Sequence, residues 1–148
     1  MTTFKFRNSR KSDLDFVINL IRSTFKDHII QTWGEWDENS QYEYWKKNLN
    51  PKLHKIIVSD NLDIGLYSIV EDNLSIELNL IFLIPEFQNK GIGKQIVTSL
   101  LETANKKSKS VKLKVLKSNL KALKFYESLK FKIVKETKER FHLEYTKN

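Results

Sequence analysis

The sequence predicts an α/β (α+β) fold, a single domain in which a mixed central sheet of about six to seven strands is flanked by about four helices. Three observations carry this. Seven short runs have the composition or alternation of strands. Four longer segments repeat apolar residues at helical spacing. The 148 residues are enough for one compact domain and too few for two ordinary ones. With 40% apolar residues, 9 Phe, 5 Tyr and 3 Trp, the chain can build a core and is not disordered.

Each element has its own signal. Residues 3–7 alternate as a strand, and Ser12 with Asp15 resembles a capping box ahead of Leu14, Val17, Leu20, Ile21 and Phe25 at helical spacing. A second helix covers Asn39 to Leu49 and stops before Pro51. Lys55–Ser59, Ile64–Glu71 and Leu74–Ile84 read as strands, with turns near Asn61 and at Asp72-Asn73. A helix follows from Gly91 to Asn105, with Ile92, Ile96, Val97, Leu100 and Leu101 toward the core. Val111–Leu116 is a strand, Asn119–Leu129 a helix, and Phe131–Glu136 with Arg140–Tyr145 a closing hairpin. Only the crossovers around the two later helices call for parallel neighbours.

Composition narrows the chemistry. The chain has no cysteine, which excludes a disulfide scaffold, a thiolate zinc site, an iron–sulfur cluster and a Cys nucleophile. His28, His54 and His142 lie far apart and give no metal-ligand spacing, so no metal is expected. No apolar leader segment is visible in TTFKFRNSRKSD, and the longest apolar run, Leu80 to Ile84, is far short of the ~20 residues of a membrane span. The expectation is a cytoplasmic protein without a membrane partner.

The net charge of +8 is uneven. Residues 106–140 hold 13 of the 26 bases and three acids, whereas Glu35 to Glu43 holds four acids and no base. That asymmetry suggests two partners of opposite sign. A solubilising lysine-rich surface is the plainer account. No helix-turn-helix, zinc finger or aromatic RNA-reading signature accompanies the bases, so no nucleic acid is expected.

Two of only four glycines fall in Gln88-Asn89-Lys90-Gly91-Ile92-Gly93, between an apolar strand and an amphipathic helix. Glycines there let the backbone turn tightly and present free N–H groups at a helix start, where phosphate oxygens bind; Lys90 and Lys94 add positive charge. A plain strand-to-helix turn is the alternative. A Walker A loop fails because Gln88 replaces its first Gly and Gln95 its Ser/Thr, and a dinucleotide turn fails because Ile96 replaces the third Gly. Pro85 cannot donate to a ladder, so strand pairing must stop or splay there.

The segment from Ile81 to Lys94 resembles the acetyl-coenzyme A signature of the GNAT superfamily of N-acetyltransferases. Asn119-Leu-Lys-Ala122-Leu-Lys-Phe125-Tyr126-Glu-Ser-Leu-Lys-Phe131 resembles the second signature of that family. The order of elements is similar over almost the whole chain. Thr32–Glu38 and Lys114–Asn119 are further similar to a small bacterial branch whose substrates are mostly unassigned. Two positions depart from the pattern. Lys130 stands where a Gly usually precedes Phe131, and Asn79 stands where an acid is usual, with Glu77 two residues earlier.

The resemblance implies acetyl-CoA as co-substrate and direct attack of a primary amine on its thioester. It implies the pyrophosphate on the amides of Asn89, Lys90, Gly91, Ile92, Gly93 and Lys94, Gln88 as a further cofactor-binding residue, and the pantetheine arm along the backbone of Leu83 and Ile84. Asn119 is implied as a cofactor contact that could equally be a helix cap. Tyr126 is implied as the general acid, with core packing against Phe125 as the competing role. Glu77 is a possible base, and a solvated strand carboxylate is an equal alternative. On the acceptor side stand Trp33, Trp36 and Asp37, since rings beside carboxylates suit a cationic amine, with core packing of the two tryptophans as the competing account, and Asn79. The acceptor is a small-molecule or peptide amine, and the protein a monomer or homodimer. A coenzyme-A-binding regulatory module without turnover is the alternative that Asn79 motivates, and a nucleic-acid-binding protein a more distant one.

Overall fold

A computed structural model describes residues 3–147. In chain order the elements are β1 (Lys5–Asn8), α1 (Leu14–Trp33), α2 (Glu38–Asn48), β2 (Lys55–Ser59), β3 (Leu62–Glu71), β4 (Ser75–Leu83), α3 (Ile92–Lys106), β5 (Ser110–Leu116), α4 (Leu120–Ser128), β6 (Lys132–Glu136) and β7 (Arg140–Tyr145). Single 3-10 turns at Lys11–Asp13 and Pro85–Phe87 precede α1 and lead toward α3. The seven strands form one mixed sheet in the order β1-β2-β3-β4-β5-β7-β6. The predicted fold class, the number of strands and helices, and their order are all observed.

Residue contacts gather the chain into two compact units, one of residues up to Ser68 with Leu80–Gly93, the other of Ile69–Asn79 with Lys94 onward. In the first, β1 and β3 flank β2 antiparallel. Val17, Ile18, Leu20 and Ile21 of α1 and Trp45 of α2 form a buried cluster with Ile56, Val58 and Leu66, and Leu80 and Phe82 pack against it. The apolar spacing of α1 thus becomes its buried face. Gly65 is required by close approach: a Cβ there would lie 2.2 Å from the Phe82 carbonyl oxygen.

Two expectations need correction. Ser12 and Asp15 do not form a capping box. The carboxylate of Asp13 accepts instead from the Arg10 N–H at 2.7 Å, and it also accepts two bonds from Arg7, at 2.8 and 2.9 Å. A carboxylate fixed by an arginine fork is a stronger acceptor at this corner than a serine hydroxyl, because the bonds to it are charge-assisted. The second correction concerns strand neighbours. The crossover through α3 makes β4 and β5 parallel neighbours, from Ser75↔Ser110 to Glu77↔Lys112. The crossover through α4 does not do the same for β5 and β6, because β7 inserts between them and pairs antiparallel with both. A hairpin return from β6 back beside β5 satisfies both edges.

The second unit has its own interior. Ile76 and Leu78 on β4, Val111, Leu113 and Val115 on β5 and Leu143 on β7 are buried, as are Ile96, Val97, Leu100, Leu101 and Ala104 of α3. Phe131 lies between the rings of Tyr126 and Tyr145, at 5.5 and 5.8 Å. The Asn105 side-chain amide of α3 donates to the Tyr145 hydroxyl at 3.2 Å.

Candidate functional site

The turn after β4 is built by its own backbone and one side chain. The Ile84 N–H donates to the Ile64 carbonyl at 2.8 Å, which fixes the end of the strand. Pro85 starts a 3-10 turn in which the N–H groups of Phe87 and Gln88 bond back to Ile84 and Pro85. The Gln88 side-chain amide then reaches back to donate to the Leu83 carbonyl at 2.9 Å. Asn89 and Gly91 both have left-handed backbones, with φ of +61° and +83°. Open space surrounds the missing Cβ of Gly91. Among the described residues, the amides of Asn89, Lys90 and Gly91 donate no backbone hydrogen bond, and α3 begins immediately afterwards. A run of free amides through left-handed residues into a helix start forms a concavity suited to an anion. The Lys90 ammonium lies 5.2 Å from the centre of the Phe87 ring, held beside the turn.

Of the backbone sites expected for a pantetheine arm, the Ile84 N–H is therefore already committed to β3. The Leu83 carbonyl is shared with Gln88, whose side chain is directed at β4. No signal in the sequence announces that bond, because it joins residues through a turn whose shape is not local to either.

In the second unit, Asn119 caps α4 by accepting from the Ala122 N–H at 3.2 Å, as expected of that residue type. Tyr126 is 8% exposed and meets Phe125 and Phe131 edge to face. Its carbonyl accepts from the N–H groups of Leu129 and Phe131, so the end of α4 closes around it. Lys130 adopts φ +74°, the left-handed conformation that its place before Phe131 demands.

Two of the four acids of the acidic segment, Asp37 and Glu38, are taken up by its own structure. Trp33 ends α1, 49% exposed, and Gly34 closes that helix at φ +94°. Asp37 caps α2 by accepting from Ser40, and those bonds hold its carboxyl below the usual range. Glu38 pairs with Arg22 and accepts from the Trp36 ring N–H at 2.6 Å. Trp36 packs against the α1 cluster. Asn79 is exposed on β4. Glu77 lines a depression of about 230 Å³ on the β4–β5–β7–β6 sheet face together with Lys112, Lys114, Lys135, His142 and Glu144. Sequence reasoning singled out Glu77 and passed over the rest of this group, His142 included. Its signal was the charged alternation Lys112/Lys114 and His142/Glu144 along two strands.

Among the described residues, no cluster of three or more His, Asp or Glu could hold a metal, and no helix is long and apolar enough to cross a membrane. No curated protein matches the sequence. Three solved structures share the fold. The PaiA N-acetyltransferase of Thermoplasma acidophilum, in complex with coenzyme A, is 20% identical, with 98% of this chain and 99% of that chain covered at TM-score 0.73. An acetyltransferase of Thermus thermophilus is 12% identical, with 99% and 100% covered at TM-score 0.75. The spermidine/spermine N-acetyltransferase SpeG of Vibrio cholerae is 20% identical, with 97% and 93% covered at TM-score 0.66. The family model for the acetyltransferase (GNAT) domain matches residues 21–147. With most of its length matched by that model, the chain belongs to the GNAT acetyltransferase family.

Proposed function

We propose that the chain is an acetyl-CoA-dependent N-acetyltransferase whose acceptor is a primary amine. The carrying observation is the turn from Gln88 to Gly93, where unbonded amides pass through two left-handed residues into the start of α3. Its open side at Gly91 fits a phosphate oxygen, which needs free N–H groups and no side chain in the way. Acetyl-CoA supplies the activated acyl group as a thioester. The amides of Asn89 to Gly93 bind its pyrophosphate, with Lys90 and Lys94 adding charge. The pantetheine arm follows the end of β4, using the carbonyls of Leu83 and Ile84 rather than the Ile84 N–H. Asn119 contributes beside its capping role. Tyr126 holds the proton for the departing sulfur, and Glu77 is the candidate to take the proton of the amine.

Residues 1–148 form one such domain in this reading, placed in the cytoplasm and in the small bacterial branch by Thr32–Glu38 and Lys114–Asn119. Of the acceptor-side candidates, Asp37 and Trp36 are tied into the start of α2 and Asn79 is exposed on β4, while Trp33 stays among the candidates at the end of α1. The PaiA neighbour's complex with coenzyme A supports the cofactor. The spermidine/spermine specificity named for the Vibrio cholerae neighbour supports an amine acceptor.

The test is thermal denaturation with acetyl-CoA. Binding to the native state raises Tm by mass action, by an amount that grows with ligand concentration. Gly91→Glu places a side chain and a negative charge in the seat and is expected to abolish the shift while the protein stays folded. An unchanged shift in that variant would move the phosphates elsewhere. Tyr126→Phe keeps the ring and its packing, so coenzyme binding should hold while turnover falls about 10²-fold. Equal loss of binding and turnover would make Tyr126 a packing residue.

A further inference from the structure

The depression on the second unit's sheet carries two rows of charge. Across the strands, Lys112 lies in register between Glu77 on β4 and Glu144 on β7. Two residues further along β5, Lys114 lies opposite His142, and His142 lies opposite Lys135 on β6. A shift of register between Ile133 and Lys135 produces this second row. Without it, Val134 and not Lys135 would face His142, so the bulge delivers a cation to the site. Among the lining residues, one row therefore has two carboxylates to one ammonium, with Lys132 of β6 opposite Glu144 but outside the lining, and the other has two ammonium groups and an imidazole. Rows two residues apart on a strand are separated by roughly 7 Å.

Among the described residues, none of the six side chains enters an ion pair or a side-chain hydrogen bond. Elsewhere in the same unit, Glu71 pairs with Lys107 and Lys109, and Glu136 with Lys117. His142 is held below the usual imidazole range by burial first and then by Lys114, Lys135 and Arg140, with Glu77 opposing. The second row thus sits in positive potential without a counter-anion. The volume of about 230 Å³ is below the ~300 Å³ at which drug-sized pockets begin.

We propose that this depression binds the acceptor, and that the acceptor is a small amine which also carries an anionic group, a carboxylate or a phosphate. The ammonium end lies against the Glu77–Lys112–Glu144 row and the anion against the Lys114–His142–Lys135 row. This rests on the transferase reading and gives it a substrate class. It departs from the sequence expectation of a purely cationic amine drawn to residues 35–43.

The experiment has two arms on the full chain. In the first, the backbone amide signals are followed by NMR during titration with γ-aminobutyrate, O-phosphoethanolamine and n-butylamine. The two anionic amines are expected to move the signals of Lys112, Lys114 and His142 at millimolar concentration, and n-butylamine to leave them still. The stronger of the two names the anion. Lys114→Ala with Lys135→Ala, both at exposed positions, is expected to weaken that binding at least about tenfold. Signals unmoved by either anionic amine, or moved equally by n-butylamine, overturn the proposal. The second arm measures coenzyme thiol released from acetyl-CoA, with kcat/KM for γ-aminobutyrate or O-phosphoethanolamine expected at least about tenfold above n-butylamine. Acetylation of n-butylamine at an equal rate overturns the proposal and leaves the transferase reading standing. Binding of the anionic amines without thiol release from any amine overturns the transferase reading and keeps the anionic-amine site.

Discussion

Two regions of this chain are conspicuous for charge, and the fold treats them in opposite ways. In the segment from Glu35 to Glu43, Asp37 becomes a helix cap and Glu38 binds Arg22 and the Trp36 ring. On the β4–β5–β7–β6 face, six titratable side chains line one depression and, among the described residues, none enters an ion pair. A charge count in sequence is therefore not a count of charges available to a ligand. Local hydrogen bonds at a helix start absorb acids readily, because the first amides of every helix lack partners. A strand surface offers no such partners, since its backbone groups are already in the ladder.

The contrast can be tested, and the largest effect belongs to a charge that the fold has consumed. Asp13 is buried, binds Arg7 twice and accepts from Arg10, while Arg7 also binds Asp63. Asp13→Ala leaves Arg7 and the Arg10 N–H short of a partner and is expected to cost about 2–3 kcal/mol in urea denaturation. The Arg7 bonds hold the Asp13 carboxyl below the usual aspartate range. Its contribution is hence complete above the ordinary aspartate pKa and fades as pH falls through the depressed one. Wild type and variant should converge in stability on acidification below about pH 4. A constant gap down to pH 2 would mean that packing, not charge, holds this corner.

Lys130 sharpens the comparison from the other side, since its charge is idle and its backbone is strained. At φ +74° a side chain is unfavourable. Lys130→Gly is expected to stabilise the protein by about 1 kcal/mol. No gain in denaturation midpoint would show that the lysine side chain itself contributes there.

The smallest stability effect belongs to the unpaired charges. Lys114→Ala is expected to change stability by less than about 0.5 kcal/mol. It should nevertheless raise the His142 pKa toward the ordinary imidazole value, as NMR titration would report, because Lys114 is one cause of the depression. A depressed imidazole binds fewer protons in the native state than in the unfolded one. It therefore costs nothing above the ordinary value, and it destabilises as pH falls below it. The variant should lose less stability than wild type between pH 7 and pH 5. An unmoved His142 titration would place Lys114 out of its reach.

Much of the fold was legible because its signals are local. The spacing of Val17, Leu20 and Ile21, the Asn119 cap, the turn at Asp72 and the glycines between β4 and α3 each act within a few residues. The candidate cofactor turn was legible for the same reason, and Lys130 could be expected at a strained backbone from its neighbour Phe131. The two corrections fell where side-chain competition or strand pairing decides: Asp13, bound by Arg7 and the Arg10 N–H, stands at the start of α1 in place of the expected Ser12–Asp15 box, and β7 entered between β5 and β6.

By itself, then, the sequence determined the kinds of element and their order, the glycine turn between β4 and α3, and the family. These follow from periodicity, from residues with special backbone freedom, and from motifs carried on contiguous residues. The tertiary structure alone decided which charges remain available. Strand register put Glu77, Lys112 and Glu144 in one row, and the bulge in β6 put Lys135 opposite His142. Register is fixed by burial of Leu113, Val115 and Leu143 on the opposite side, and a one-residue slip would send every one of these charges to the other face.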